Sequence, residues 1–162
     1  MITLGIDPGS TRVGYGAVRK ERGILTHLES GLLNIHSKEK TQQLIELAVS
    51  LKEVLVRLKP NCVGIEKLYF SKNQKTALEV AQARGVLVHT IAEAGVPILE
   101  FTPGEVKLAV TGDGGATKAA VAVMVVRFLR LPPRKLVDDV SDALAIAITA
   151  SHSALYRAGV RR

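Results

Sequence analysis

The sequence predicts an α/β fold: a five-stranded mixed sheet with helices on both faces. Three observations carry this. Short apolar runs bounded by turn residues come first in the chain, helical periodicities come later, and a helix separates the first strand from the fourth. A helical crossover lets strand four lie parallel to strand one, whereas tight turns make strands one to three an antiparallel meander.

The elements follow in order. Ile2 to Asp7 reads as a buried strand ending in an acid. Arg12 to Arg19 and Gly23 to Ile35 are two more extended stretches, set off by Pro8-Gly9-Ser10 and Glu21-Arg22-Gly23. Leu44, Leu47, Ala48, Leu51, Val54, Leu55 and Leu58 then repeat at helical spacing, and Pro60-Asn61 closes that helix. Cys62 to Glu66 is a fourth strand, again short, apolar and ending in an acid. Asn73 to Ala94 is helical, Val96 to Phe101 is a fifth strand, and Thr102-Pro103 opens a short helix with Thr as cap and Pro at its first position. After the glycine-rich loop at 112–115, Thr117 to Leu129 and Val137 to about Leu155 are helices, divided by Leu131-Pro132-Pro133.

At 162 residues the chain predicts one domain over 1–162, with a basic tail from about 156 to 162. Apolar residues at 47% and charged residues at 23% exclude a disordered chain. No apolar run approaches the roughly 18 residues of a membrane span, so no membrane role is expected. The opening lacks the basic and small-residue pattern of a secretory signal, and the single cysteine, Cys62, makes no disulfide framework or multi-cysteine zinc site. Cytoplasmic residence follows as an expectation, with Cys62 as small core filler. The net charge of +7 favours an anionic partner, most often nucleic acid, while 4% aromatics and no Trp argue against a broad base-stacking platform.

Four acids stand out. Asp7 and Glu66 each end a short strand, and parallel strands place sites at that edge. Asp139 and Asp142 are three apart on the last helix and share a face, and the apolar run Ala143 to Ile148 behind them suits close packing on a sheet. Asp138 shares a face with Asp142 equally well, so spacing alone leaves the third acid open. Four clustered carboxylates repel one another. An all-oxygen Mg²⁺ or Mn²⁺ site removes the conflict, and two ions about 3.5–4 Å apart suit in-line phosphoryl displacement. Taken singly, these acids read as turn formers and helix caps; their convergence is what points to a metal. The glycine-rich stretch Gly5 to Gly16 has two readings: a tight hairpin beside Asp7, or a phosphate loop like those of actin-like ATPases. The chain is too short for the two lobes that the second reading needs. His27, His36, His89 and His152 have no ligand spacing.

The segments Gly5 to Gly16, Ile65-Glu66, Ala81-Gln-Ala-Arg-Gly85 and Asp139 to Ile148 resemble, in order and spacing, the RuvC-type Holliday junction resolvases. The resemblance runs nearly end to end. It implies a ribonuclease-H-like fold, a homodimer, and a branch-migration motor as partner. It also implies Mg²⁺-dependent nicking of two opposed strands of four-way junction DNA, leaving 5′-phosphate and 3′-hydroxyl ends. Mn²⁺ is expected to substitute, and two ions are expected per site. On this resemblance Asp7, Glu66, Asp139 and Asp142 are the metal-binding acids, the family pattern favouring Asp139 over Asp138. Lys107 and Lys118 fall at lysine positions near the scissile phosphate. Tyr69 falls where relatives carry an aromatic wedge; of Tyr69 and Phe70, one is expected to be buried and one to project. Arg12, Lys72, Asn73, Lys75 and Arg84 are candidate phosphate contacts. A junction binder that does not cut, and a ribonuclease H acting on RNA strands, remain the alternative readings.

Overall fold

The structure is a computed structural model describing residues 1–9, 12–67, 74–132 and 136–159, with the side chains of 74–76 and 154–159 outside the description. Three antiparallel strands come first: β1 (Ile2–Pro8), β2 (Val13–Glu21) and β3 (Ile24–Leu32). The β2–β3 turn places Arg22 and Gly23 at positive φ, the pair of left-handed residues that a tight hairpin uses. Helix α1 (Lys40–Leu58) then leads to β4 (Cys62–Glu66), which pairs parallel to β1. Helix α2 (Gln74–Glu93) leads to β5 (Ile98–Phe101), parallel to β4. The sheet order is β3-β2-β1-β4-β5. Helices α3 (Pro103–Thr111), α4 (Lys118–Phe128) and α5 (Asp138–Gly159) complete the chain.

The boundaries match the sequence reading to within a few residues, with physical reasons for the differences. The third strand stops at Leu32, short of Ile35, because its ladder with β2 begins only at Gly14. Helix α1 begins at Lys40, where Glu39 caps it by accepting from the Thr41 and Gln42 amides. It ends at Lys59, which turns into the left-handed region before Pro60. The Thr102 cap of α3 is a full capping box: its hydroxyl accepts from the Glu105 amide, and the Glu105 carboxylate accepts from the Thr102 amide.

The sheet divides two cores. On one face Leu4, Ile6, Val13, Tyr15, Val63 and Ile65 pack against α1 and α2. On the other, Val18, Cys62, Leu99 and Phe101 pack against α3, α4 and α5. Cys62 is buried and free, in keeping with its role as core filler. Strand residues alternate between these faces. Leu4 and Ile6 point to α1 and α2, so Gly5 and Asp7 point to α5. Val63 and Ile65 likewise leave Gly64 and Glu66 to the α5 face. Among the described residues no helix is long and apolar enough to cross a membrane.

Candidate active site

Strand parity fixes the first acid pair. β1 and β4 are parallel with Ile6 opposite Ile65, so Asp7 and Glu66 come one step later, side by side at the same strand ends and on the same face. The second pair depends on how closely α5 lies on the sheet. A Cβ built on Gly5 would stand 2.1 Å from the Ala143 carbonyl oxygen, and one on Gly14 would stand 2.1 Å from the Asp139 carbonyl oxygen. Backbone thus touches backbone, and only glycine permits it. Gly16 and Gly64 extend the same patch against Leu144 and Ile146. The glycines of the opening motif therefore serve helix packing, except Gly9, whose Cβ would strike the Arg12 carbonyl in the turn. A phosphate loop is not needed to explain them.

This packing brings α5's acids to the β1–β4 edge. Asp7, Glu66, Asp142, Lys107 and Lys118 line one cavity of about 300 Å³, floored by Ala145 and Ile146. The Asp7 carboxyl is pushed up to about 7, first by burial and then by the charges of Asp142, Glu66 and Asp139, with Lys118 acting in the opposite direction. Glu66 is raised as well, by burial and then by Asp142. Two cations offset the cluster. Lys118 Nζ donates to Asp142 Oδ2 at 2.8 Å, and that bond raises the lysine's own pKa. Arg12 Nη2 stands 3.1 Å from Asp139 Oδ2, yet that buried oxygen has no hydrogen bond of proper geometry. Among the described residues, no three acidic, imidazole or thiol side chains close on a single metal-sized point. Asp7, Glu66 and Asp142 line the cavity, Asp142 holding Lys118, while Asp139 lies beside it and holds Arg12.

The donor set nonetheless suits a hard divalent cation. Its groups are carboxylates only, one of them raised to about 7 first by burial and then by its neighbours, and another with a buried oxygen lacking a hydrogen bond. Of the two candidates for third acid, Asp139 acts on Asp7, whereas Asp138 is exposed and borders an adjoining groove between α4 and α5 that shares Lys118 and Asp142 with the cavity.

The remaining sequence candidates divide. Lys107 lines the cavity from α3 and makes no ion pair with a described acid. Arg12 is engaged with Asp139. Arg84 turns inward: its Nε donates to the Glu66 carbonyl at 3.1 Å and its Nη2 pairs with Glu100. Tyr69, Phe70, Lys72 and Asn73 lie outside the described residues, and Lys75 is placed on α2 without its side chain. Sequence reasoning did not single out Glu100 or the steric role of Gly5 and Gly14. The spacing of those glycines opposite the apolar run of α5 was the available signal.

The comparisons bear on this geometry. The family model for "Crossover junction endodeoxyribonuclease RuvC" matches residues 3–150. The chain belongs to the RuvC family. A curated relative of that name from Roseiflexus sp. (strain RS-1) is 40% identical over 153 residues, covering 94% of this chain and 91% of the relative. The Thermus thermophilus RuvC structure superposes with a TM-score of 0.86 at 32% identity, covering 97% of both chains. T. thermophilus RuvC in complex with Holliday junction substrate gives 0.89 at 33% identity, covering 97% of this chain and 96% of that one. The fold is thereby ribonuclease-H-like, as the sequence motifs implied, and metal dependence is a property of RuvC family nucleases.

Proposed function

We propose that this RuvC-family chain is a single-domain junction-resolving endonuclease. It nicks two opposed strands of a four-way DNA junction symmetrically and leaves 5′-phosphate and 3′-hydroxyl ends. The observation that carries the reading is the strained carboxylate cluster: Asp7 raised to about 7 by burial and three other acids, at a cavity edged by two lysines. Such an arrangement costs stability, and clusters of this kind are concentrated at functional sites.

Asp7, Glu66, Asp139 and Asp142 would hold the metal. Mg²⁺ is the natural occupant, with Mn²⁺ substituting and two ions per site. When bound, the metal supplies an activated water and charge neutralisation at the phosphate. The chain's own residues do the rest. Lys118 and Lys107 face the same cavity and stabilise negative charge on the phosphate oxygens as the bond breaks. Lys118, which donates to Asp142 in the metal-free site, would be available for this purpose once that carboxylate held a metal. The Gly5–Gly14 contact with α5 keeps both acid pairs in register, which positions the attacking and leaving groups.

The net charge of +7 favours holding the DNA arms. Tyr69, with Phe70 beside it, is the candidate wedge, and Lys72, Asn73 and Lys75 the candidate backbone contacts. A homodimer suits the reading because a two-fold molecule matches a two-fold junction. A branch-migration motor as partner and residence in the cytoplasm belong to the same proposal.

The test is cleavage of an end-labelled synthetic four-way junction, beside linear duplex and RNA–DNA hybrid, with Mg²⁺, Mn²⁺ or chelator. Paired nicks on the junction that require metal and vanish in Glu66→Gln are expected. Cutting of the hybrid alone would reassign the substrate to RNA strands. Tight junction binding without cutting under any metal would reduce the acids to structural groups.

A further inference from the structure

Arg84 is a charged residue with little access to solvent. Its side chain is only 17% exposed, and its contacts run to a part-buried main-chain carbonyl and to Glu100, whose own side chain is 45% exposed. Nε donates to the main-chain carbonyl of Glu66, and Nη2 pairs with the carboxylate of Glu100. Glu100 lies on β5, opposite Ile65 in the parallel ladder. One guanidinium therefore ties α2 to the last residue of β4 and to the strand beside it.

The tie falls where the backbone needs it. The chain leaves the sheet directly after Glu66, and a carbonyl at a strand end requires a donor. On β5's side, the Lys67 amide donates to the Phe101 carbonyl at 2.8 Å. Arg84 supplies the other half. Hydrogen bonds from an ionised donor are roughly twice as strong as neutral ones. The planar fork also lets one side chain serve a carbonyl and a carboxylate at once, which an ammonium does less well.

We propose that Arg84, braced by Glu100, is a positioning residue that fixes the backbone of Glu66 and through it the Glu66 carboxylate. The side chain is not a DNA phosphate contact. Its two engaged nitrogens are directed at protein acceptors, which leaves little of the guanidinium to meet a phosphate. The inference rests on the reading of Glu66 as a site acid.

The variants are Arg84→Gln, Arg84→Lys and Glu100→Gln, read four ways. These are Mn²⁺ affinity of the DNA-free protein by calorimetry, junction affinity in chelator as a function of salt, single-turnover cleavage at saturating protein, and thermal melting. Arg84→Gln is expected to weaken Mn²⁺ binding about tenfold, the scale of losses at groups that orient metal ligands, and to slow cleavage by at least about tenfold. Junction affinity and its salt slope stay within about twofold. Arg84→Lys recovers part of both losses, and Glu100→Gln shows a smaller loss of both. If Arg84→Gln does not fold, the other two variants decide by the same criteria.

Loss of junction affinity with a salt slope reduced by about one, and normal cleavage at saturation, would overturn the proposal in favour of a phosphate contact. A lowered melting temperature with Mn²⁺ affinity and cleavage unchanged would reduce Arg84 to scaffold and overturn it too. Wild-type protein that fails to cut any junction would defeat the functional reading instead, while the Mn²⁺ titration would still judge Arg84.

Discussion

Asp7→Asn is expected to stabilise the metal-free protein near neutral pH and to abolish metal-dependent cleavage. The Asp7 carboxyl rises from 3.8 to about 7 in the folded protein, chiefly through burial and then through Asp142, Glu66 and Asp139. At about 1.4 kcal/mol per pH unit, that rise sets a ceiling of about 4 kcal/mol on the destabilisation carried by the charged form. Relaxation of neighbouring side chains and entry of water bring the expected net gain for the variant to about 1–2 kcal/mol. For a chain of this size that is a rise of roughly 2–8 °C in melting temperature.

The sign of the pH dependence follows from the direction of the shift. Between 3.8 and about 7 the folded protein binds a proton at Asp7 that the unfolded chain has lost. Stability therefore falls as pH rises through this window, and the penalty is complete above it. The advantage of Asp7→Asn should be full at pH 8 and shrink towards pH 5, where wild-type Asp7 is itself neutral. Melting wild type and variant in chelator at both values tests this. Adding Mg²⁺ should stabilise wild type by about 3 kcal/mol at a hundred times its dissociation constant and erase the variant's lead. A variant that melts no higher than wild type at pH 8, or whose lead is equal at pH 5, would refute the reasoning.

Other perturbations probe separate parts. Gly14→Ala forces a Cβ to within 2.1 Å of the Asp139 carbonyl, so it is expected to lose about 1–3 kcal/mol by melting and most of its cleavage. Gly85→Ala meets nothing within 4 Å on α2 and should gain about 0.5–1 kcal/mol. Lys118→Gln should slow single-turnover cleavage by about 10²–10³ while leaving junction binding nearly intact; an unchanged rate would remove Lys118 from the chemistry. Thr102→Ala breaks the capping box of α3 and should lower stability by about 1 kcal/mol, with a modest fall in cleavage through Lys107. Junction affinity of the wild type should fall steeply from low to moderate salt, and a flat response would contradict the electrostatic reading of the +7 surface.

The fold was legible because its signals are local. Cys62 to Glu66 was bounded correctly by an apolar run between Pro60-Asn61 and an acid, and α3 by its Thr-Pro start. The pairing of Asp7 with Glu66 followed from a helical crossover and strand parity, both readable without coordinates. Gly5 and Gly14 were harder. A glycine in a strand shows that something approaches closely but not what, and only the docking of α5 identifies it. Arg84 was unreadable for a related reason. An arginine on a helix is solvated by default, and although its neighbours at helical spacing are the apolar Val80, Ala81, Leu87 and Val88, its inward turn depends on Glu100, a residue sixteen positions away that nothing in the local pattern connects to it. The third acid was ambiguous because helical spacing treats Asp138 and Asp139 alike; the contact of Gly14 with the Asp139 backbone breaks the tie in placement.

The acids and the cations around them form one balance. Asp7 and Glu66 are buried enough to resist ionisation, yet a metal needs them charged. Lys118 and Arg12 partly compensate the cluster, but their side chains are 77% and 60% exposed, so neither ion pair contributes much stability. They are easily displaced counterions. On the proposed reading, a divalent cation held by these carboxylates would supply the compensating charge that two exposed ion pairs supply only in part. Lys118 would then be available at the cavity edge for a phosphate, and Arg12 at the surface. On that reading the instability of the unliganded cluster would be relieved by metal. For that reason the Asp7→Asn melt and the Mg²⁺-dependent recovery of wild type test the same physical claim from opposite sides.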